Sequence, residues 1–235
     1  MATALGRRIR RFSGRREVAL GLGAYAVYLG VRAAVLDDRG RRRARRNAER
    51  IVALERRLGI HLEPGLQRLL VPQKRLVAVL NVAYAGLNFG LTIGWLMRLY
   101  ARRDPEYHRL RRAVALTFLG AQPVFLLFPT APPRTLDHFV DTIFEVSRVD
   151  LDRGLVSKFY DPIAAMPSIH VAFAVVTATG LSETSRSRLV RRLAPGYPPL
   201  VAFTVFATAN HYVLDGVAGA ALGALGLRAA RVLDG

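Results

Sequence analysis

The sequence predicts an all-α protein, a six-helix transmembrane bundle with one amphipathic helix lying at the membrane interface. Two observations carry that expectation. Apolar residues make up 51% of the 235-residue chain, and they gather into six stretches with the charges confined to the gaps. Residues 18–36 hold one charge, Arg32; residues 76–97, 113–128 and 171–181 hold none; residues 199–214 hold only His211; and residues 216–227 are apolar throughout. Crossing a bilayer takes about 20 residues, so the shorter stretches need a turn from their flanks. In lipid every backbone group must be satisfied internally, which leaves helices as the spanning element.

The first stretch follows Arg7, Arg8, Arg10, Arg11, Arg15 and Arg16. That order also occurs in signal peptides, but the run is long and shows no small-residue cleavage site before Asp37, so a retained span is expected. Residues 37–75 are dense in arginine. Within them Ala48, Ile51, Leu54 and Leu58 recur at helical spacing, with Glu49, Arg50, Glu55, Arg56 and Arg57 on the other faces, the pattern of a helix lying in the interface plane. The chain therefore divides into a basic N-terminal region with the first span, residues 1–75, and the remaining five spans, residues 76–235.

A net charge of +18 raises the question of nucleic acid. The arginines cluster at span ends and in connecting loops, where anionic lipid head groups are their partners, so no nucleic-acid partner is expected. Cysteine is absent, which removes disulfides and thiolate metal sites. The connection 129–167 is the one acidic loop, carrying Asp137, Asp141, Glu145, Asp150, Asp152 and Asp161. Lysine and arginine nearly balance across the two sides of the membrane. Placing the acidic loop outside gives a cytoplasmic N-terminus and an extracytoplasmic site. Alanine and arginine richness points to a bacterial plasma membrane.

Two polar groups interrupt the apolar pattern. Ser168 and His170 open the fourth stretch, and His211 and Asp215 end the fifth. Chain reversal brings these two ends to one interface, which the loop carrying Arg134 also reaches. Ionisable groups at a span are costly and mark function by default. His211 and Asp215 are four apart, so on a helix the carboxylate accepts the proton of one ring nitrogen and fixes a lone pair on the other. Such an imidazole can attack phosphorus, and His170 can protonate the leaving oxygen and then activate the acceptor. Free N–H groups near Pro167, the Ser168 hydroxyl and the Arg134 guanidinium can seat a phosphate, with Lys158 as further charge. Tyr84 and Asn88 are candidate pocket groups, and Asn81 reads as an interhelical hydrogen-bonding residue. Plainer roles exist for two of these: Ser168 as a helix cap, and Arg134 as a partner for the acids of its own loop.

Pro167-Ser-Ile-His170, followed one helix later by His211-Tyr-Val-Leu-Asp215, resembles the type 2 phosphatidic acid phosphatase superfamily. Phe128-Pro-Thr-Ala-Pro-Pro-Arg134 resembles in particular the branch containing inositol phosphorylceramide synthase and bacterial relatives of inositolphosphotransferases. The resemblance covers roughly residues 84–223. It implies a six-helix core and histidine-based phosphoryl transfer, with His211 as nucleophile, Asp215 as its orienting partner, His170 as acid and base, and Ser168 and Arg134 as phosphate ligands. It implies neither metal nor cofactor, and a lipid phosphate or phosphodiester as substrate. Phosphatase members carry an arginine six residues before the nucleophile, where this chain has Val205, and Pro-Ser-Gly-His where it has Pro-Ser-Ile-His. Both departures point to the transferase-like branch. Arg112 or Lys158 is the candidate replacement for the missing cation.

The expected activity is thus a membrane phosphotransferase or phosphatase acting through a phosphohistidine. The alternatives are a simple lipid phosphate phosphatase and, in another class, a proton-coupled transporter using the His211–Asp215 pair. A CDP-alcohol phosphotransferase needs a cluster of aspartates on its spans, and Asp215 is the only carboxylate near one. A metal bound by His170, His211 and Asp215 is a further reading, which an assay with chelator addresses.

Overall fold

The computed structural model describes residues 12–149 and 161–234. Among them helix is the only extended regular structure, with one isolated parallel bridge between Thr130 and Ala164. The helices are α1 (Gly14–Val35), α2 (Asp38–Leu58), α3 (Glu63–Leu70), α4 (Lys74–Val82), α5 (Asn88–Ala101), α6 (Tyr107–Leu127), α7 (Thr142–Glu145), α8 (Ile169–Thr184), α9 (Arg188–Leu193), α10 (Tyr197–Ala207) and α11 (Val213–Val232). A π-helical turn, Ala83–Leu87, joins α4 to α5 without a break. Such turns recur at functional sites.

Four helices are long and apolar enough to cross a membrane: Gly14–Val35, the continuous Lys74–Ala101, Tyr107–Leu127 and Val213–Val232. Their outward side chains argue for lipid rather than water. Val18, Val82, Met97, Leu127 and Val217 are each 60% exposed or more, an apolar surface too extensive for a soluble monomer. The chain therefore has the character of an integral membrane protein.

The helices at the fourth and fifth of the six expected spans fall short of the about 20 residues that cross a bilayer. α8 has 16 residues and α10 has 11, although α9 and the 3-10 turn Ala194–Gly196 lead directly into α10. α8 is the axis of the bundle, packed against α5, α6, α10 and α11, so its charge-free run 171–181 reflects burial in protein as much as contact with lipid. The fifth apolar stretch does not stay helical to residue 214. α10 ends at Ala207, a loop follows, and α11 begins at Val213. Ala209 in that loop has φ 53°, the left-handed region that few non-glycine residues adopt.

α11 approaches α8 and α6 through glycine. A Cβ at Gly223 would stand 2.5 Å from the Ala172 carbonyl oxygen, and one at Gly219 would collide with the carbonyl of Ser168. Small residues let membrane helices close to backbone contact.

α2 lies across the end of the bundle where α8 and α11 begin. It starts at Asp37, whose Oδ1 accepts the Gly40 N–H at 2.6 Å, and stops at Gly59, φ 69°, a conformation that costs glycine nothing. Its buried face differs from the expected one. Ala44, Ala48, Ile51, Val52 and Glu55 are buried, while Leu54 and Leu58 are 47% and 57% exposed. Ala44, Ala48, Ile51 and Val52 pack on Ala131, Phe139, Ala209 and Tyr212. The helix thus covers the loops that hold the polar residues.

Candidate active site

The structure brings His170, His211 and Asp215 together at one end of the bundle. His211 sits in the loop between α10 and α11 rather than on a helix, so a helical i,i+4 face does not account for its pairing with Asp215. Asp215 instead lies in the first turn of α11, where its Oδ2 accepts the Tyr212 N–H at 3.0 Å and stands 3.4 Å from His211 Nδ1. The nearer partner of that nitrogen is the Ala165 carbonyl oxygen, at 2.8 Å. A carbonyl only accepts, so Nδ1 carries the ring proton and Nε2 keeps its lone pair.

His211 Nε2 lies 3.3 Å from His170 Nδ1. With the lone pair on His211, the hydrogen of this contact comes from His170. The His170 ring stacks on Tyr84, with centroids 4.5 Å apart, and meets Phe89 edge-on at 4.9 Å. Tyr84 belongs to the π-helical turn, which delivers its ring to the site. Asn88 Nδ2 donates to the His170 carbonyl at 2.9 Å, and Asn88 Oδ1 accepts from the Tyr197 hydroxyl at 2.6 Å. Asn88 therefore fixes the His170 backbone and is buried away from the cavity. Asn81 bonds Thr142 and Ser147, an interhelical role.

Ser168 is fully buried and is the N-cap of α8, accepting the Val171 N–H at 3.4 Å; its own N–H donates to the Asp215 carbonyl at 3.0 Å. That bond ties the start of α8 to α11. The helix thus starts beside Pro167, with Ser168 as its cap.

The cationic residues expected at the phosphate are placed differently. Arg134, in the 3-10 turn Pro133–Thr135, has a side chain only 2% exposed and pairs with Asp141 Oδ2 at 2.7 Å. Arg112 pairs with Asp234 at 3.3 Å, near the start of α6 and the end of α11. The helix rise puts it about 22 Å from the α6 terminus that leads to the site. Lys158 lies outside the described residues.

A cavity of ≈ 430 Å³ opens beside the two histidines. Tyr25, Tyr28, Phe89, Phe118 and Phe125 form its apolar wall, and Asn210, His170, His211 and Asp161 its polar lining; among the described residues no lysine or arginine lines it. Burial raises the Asp161 carboxyl above its usual range, against the lowering effect of the Ile163 N–H, Arg32 and Arg41.

Three features of this end of the fold escaped the sequence pattern. The Ala165 carbonyl is a backbone group that no residue type announces. Asn210 adjoins His211 in sequence and holds its loop by donating to Thr208 Oγ1 at 2.8 Å. Glu55 and Glu63 are buried against α11, with His61 beside them; the alignment of Glu55 with Ala44, Ala48, Ile51 and Val52 was the available signal.

A bundle whose apolar helices can span a membrane, with paired histidines at a helix-capped end, defines the class to which the chain belongs. Residues 49–229 match the family model described as PAP2 superfamily, and the chain is a member of that superfamily. Neither the curated proteins nor the solved structures contain a match. Membership fits a membrane phosphatase or phosphotransferase.

Proposed function

We propose that the protein transfers phosphoryl groups of lipid phosphates or phosphodiesters through a phosphohistidine on His211. The observation that carries this is the one-directional set of contacts on His211: Nδ1–H toward the Ala165 carbonyl and Asp215, Nε2 toward His170. Nε2 attacks phosphorus as the bond to the leaving oxygen breaks, and the positive ring is stabilised by Asp215. His170 gives a proton to that oxygen and then takes one from the acceptor. A phosphorus in line with the His211 lone pair occupies the position that His170 Nδ1 holds at 3.3 Å, so the rings part as phosphate enters.

The first N–H groups of α8, which Ser168 caps and where Ile169 and His170 line the cavity, are the proposed seat for the phosphate oxygens. The aromatic wall of the cavity suits an acyl chain, and Tyr84 positions His170. Arg134 acts from its ion pair with Asp141, holding the 129–135 loop against Ala209 through its own N–H at 2.8 Å. The two departures from the phosphatase pattern favour an alcohol acceptor over water, on the inositolphosphotransferase-like side of the superfamily, with the site on the extracytoplasmic face of a bacterial plasma membrane.

The test is a quench with a labelled lipid phosphate donor, followed by mapping of an acid-labile, base-stable label. Label is expected on His211, and His211→Asn abolishes both label and turnover. Label on His170, or undiminished labelling of His211→Asn, overturns the assignment. Adding inositol separates the acceptors: transfer from the lipid phosphate gives inositol monophosphate, hydrolysis only inorganic phosphate.

A further inference from the structure

Behind the histidines, on the side facing α2 and α3, two carboxylates lie fully buried in a chain rich in arginine. Glu55 Oε1 accepts the Leu214 N–H at 2.8 Å, and Glu63 Oε1 accepts the Val213 N–H at 2.7 Å. Each carboxylate thus commits one oxygen to the first turn of α11. The second oxygens turn toward one another around His61: Nδ1 is 3.4 Å from Glu55 Oε2 and 3.2 Å from Glu63 Oε2. All three ligand atoms lie within 4.8 Å of one another.

We propose that Glu55, His61 and Glu63 bind a divalent first-row metal ion, best matched by Zn2+, which clamps α2 and α3 onto the start of α11. The geometry is specific. Tetrahedral zinc with bonds of about 2.0–2.1 Å separates its ligand atoms by about 3.3 Å, the spacing found between His61 Nδ1 and both oxygens. One imidazole with two carboxylates is a ligand set that zinc accepts.

Charge supports the same reading. Among the described residues His61 is the only ion-pair partner of Glu55 and Glu63. Glu63 has a side chain with no exposure, and its Oε2 has no hydrogen-bond partner, although it points into the cluster. Buried charges of this kind are paired or coordinate metals. A fourth position remains for water.

This site is separate from the chemistry at His211. Its ligands touch α11 at Val213 and Leu214, one and two residues beyond Tyr212, so the ion acts as a structural clamp and supplies no step of phosphoryl transfer.

The experiment uses the full chain, purified in detergent with any affinity tag removed, stripped with chelator and titrated with Zn2+ alone. One equivalent is expected to bind and to raise Tm, and Co2+ in its place should give the intense visible bands of a tetrahedral site. His61→Gln and Glu63→Gln should each weaken Zn2+ binding by more than the roughly 10–100-fold that loss of an outer-shell partner costs. Glutamine at 63 keeps an oxygen for the Val213 N–H, so helical circular dichroism should be retained. His211→Asn should bind Zn2+ as the parent does. A parent chain that takes up no stoichiometric ion overturns the proposal whatever the variants do, as does unchanged affinity in His61→Gln and Glu63→Gln. Loss of binding in His211→Asn assigns the ion to the histidine pair and overturns it equally.

Discussion

Gly223→Ala should cost activity far more than its one added methyl group implies. The new Cβ would stand 2.5 Å from the Ala172 carbonyl oxygen and 3.2 Å from two further Ala172 backbone atoms. Ordinary contact begins near 3.4 Å, so α8 and α11 must separate by about 1 Å, because backbone cannot rotate aside as a side chain can. Overpacking of this kind costs about 1–3 kcal/mol. The catalytic geometry suffers as well. Ala172 lies two residues beyond His170, and α11 carries Asp215, so the displacement acts on the 3.3 Å contact between His170 and His211. A misplacement of about 1 Å lowers turnover by something like 10²-fold. The assay is hydrolysis of a lipid phosphate in detergent micelles, run beside thermal unfolding. Gly90→Ala on α5 is the control, since a Cβ there meets nothing within 4 Å. If Gly223→Ala keeps both parental turnover and parental Tm, the helices do not pack as closely as described, and the link from packing to geometry fails.

Asp215→Asn should lower turnover by roughly 10–100-fold, well short of the ~10⁴-fold that a displaced histidine tautomer costs, because the Ala165 carbonyl at 2.8 Å still holds the Nδ1 proton; a loss near the larger figure shows that Asp215 alone sets the tautomer. Arg134→Ala should lower unfolding stability by about 3 kcal/mol, the lower end for a broken buried pair, since Asp141 keeps 28% exposure; an unchanged melting profile with weakened phosphate binding makes Arg134 a ligand instead. Burial raises the Asp161 carboxyl in the folded protein above its unfolded value, so its contribution to stability is full below the unfolded value of 3.8 and is lost as pH rises through the folded one. Asp161→Asn should remove that part of the pH dependence, and identical Tm–pH curves for both proteins refute it.

The helical, membrane-type fold was legible because lipid imposes a coarse rule, and stretches such as residues 76–97 satisfy it without exception. The same rule cannot distinguish a helix bathed in lipid from one enclosed by other helices. α8 reads as a span, yet Val171, Ala172, Ala174 and Val176 are buried inside the bundle, and apolar composition is what both environments select. The residues gathered at the candidate site drew attention through their cost: a histidine, a second histidine and an aspartate beside apolar runs mark function by default. Their detailed roles were less accessible. The loop that carries His211 breaks a continuous apolar pattern at Ala207, and no proline or glycine in residues 205–212 signals the break. Backbone carbonyls have no sequence signature, so the Ala165 acceptor stayed hidden and Asp215 received the whole task of orienting His211. Arg134 shows the opposite bias. An arginine near a proposed phosphate is read as its ligand, although a loop with Asp141 seven residues later offers a partner already in place. Glu55 completes the case: periodicity assigned it to a solvated face, and burial against the first turn of α11 became favourable only because two free N–H groups were waiting there to bind carboxylates.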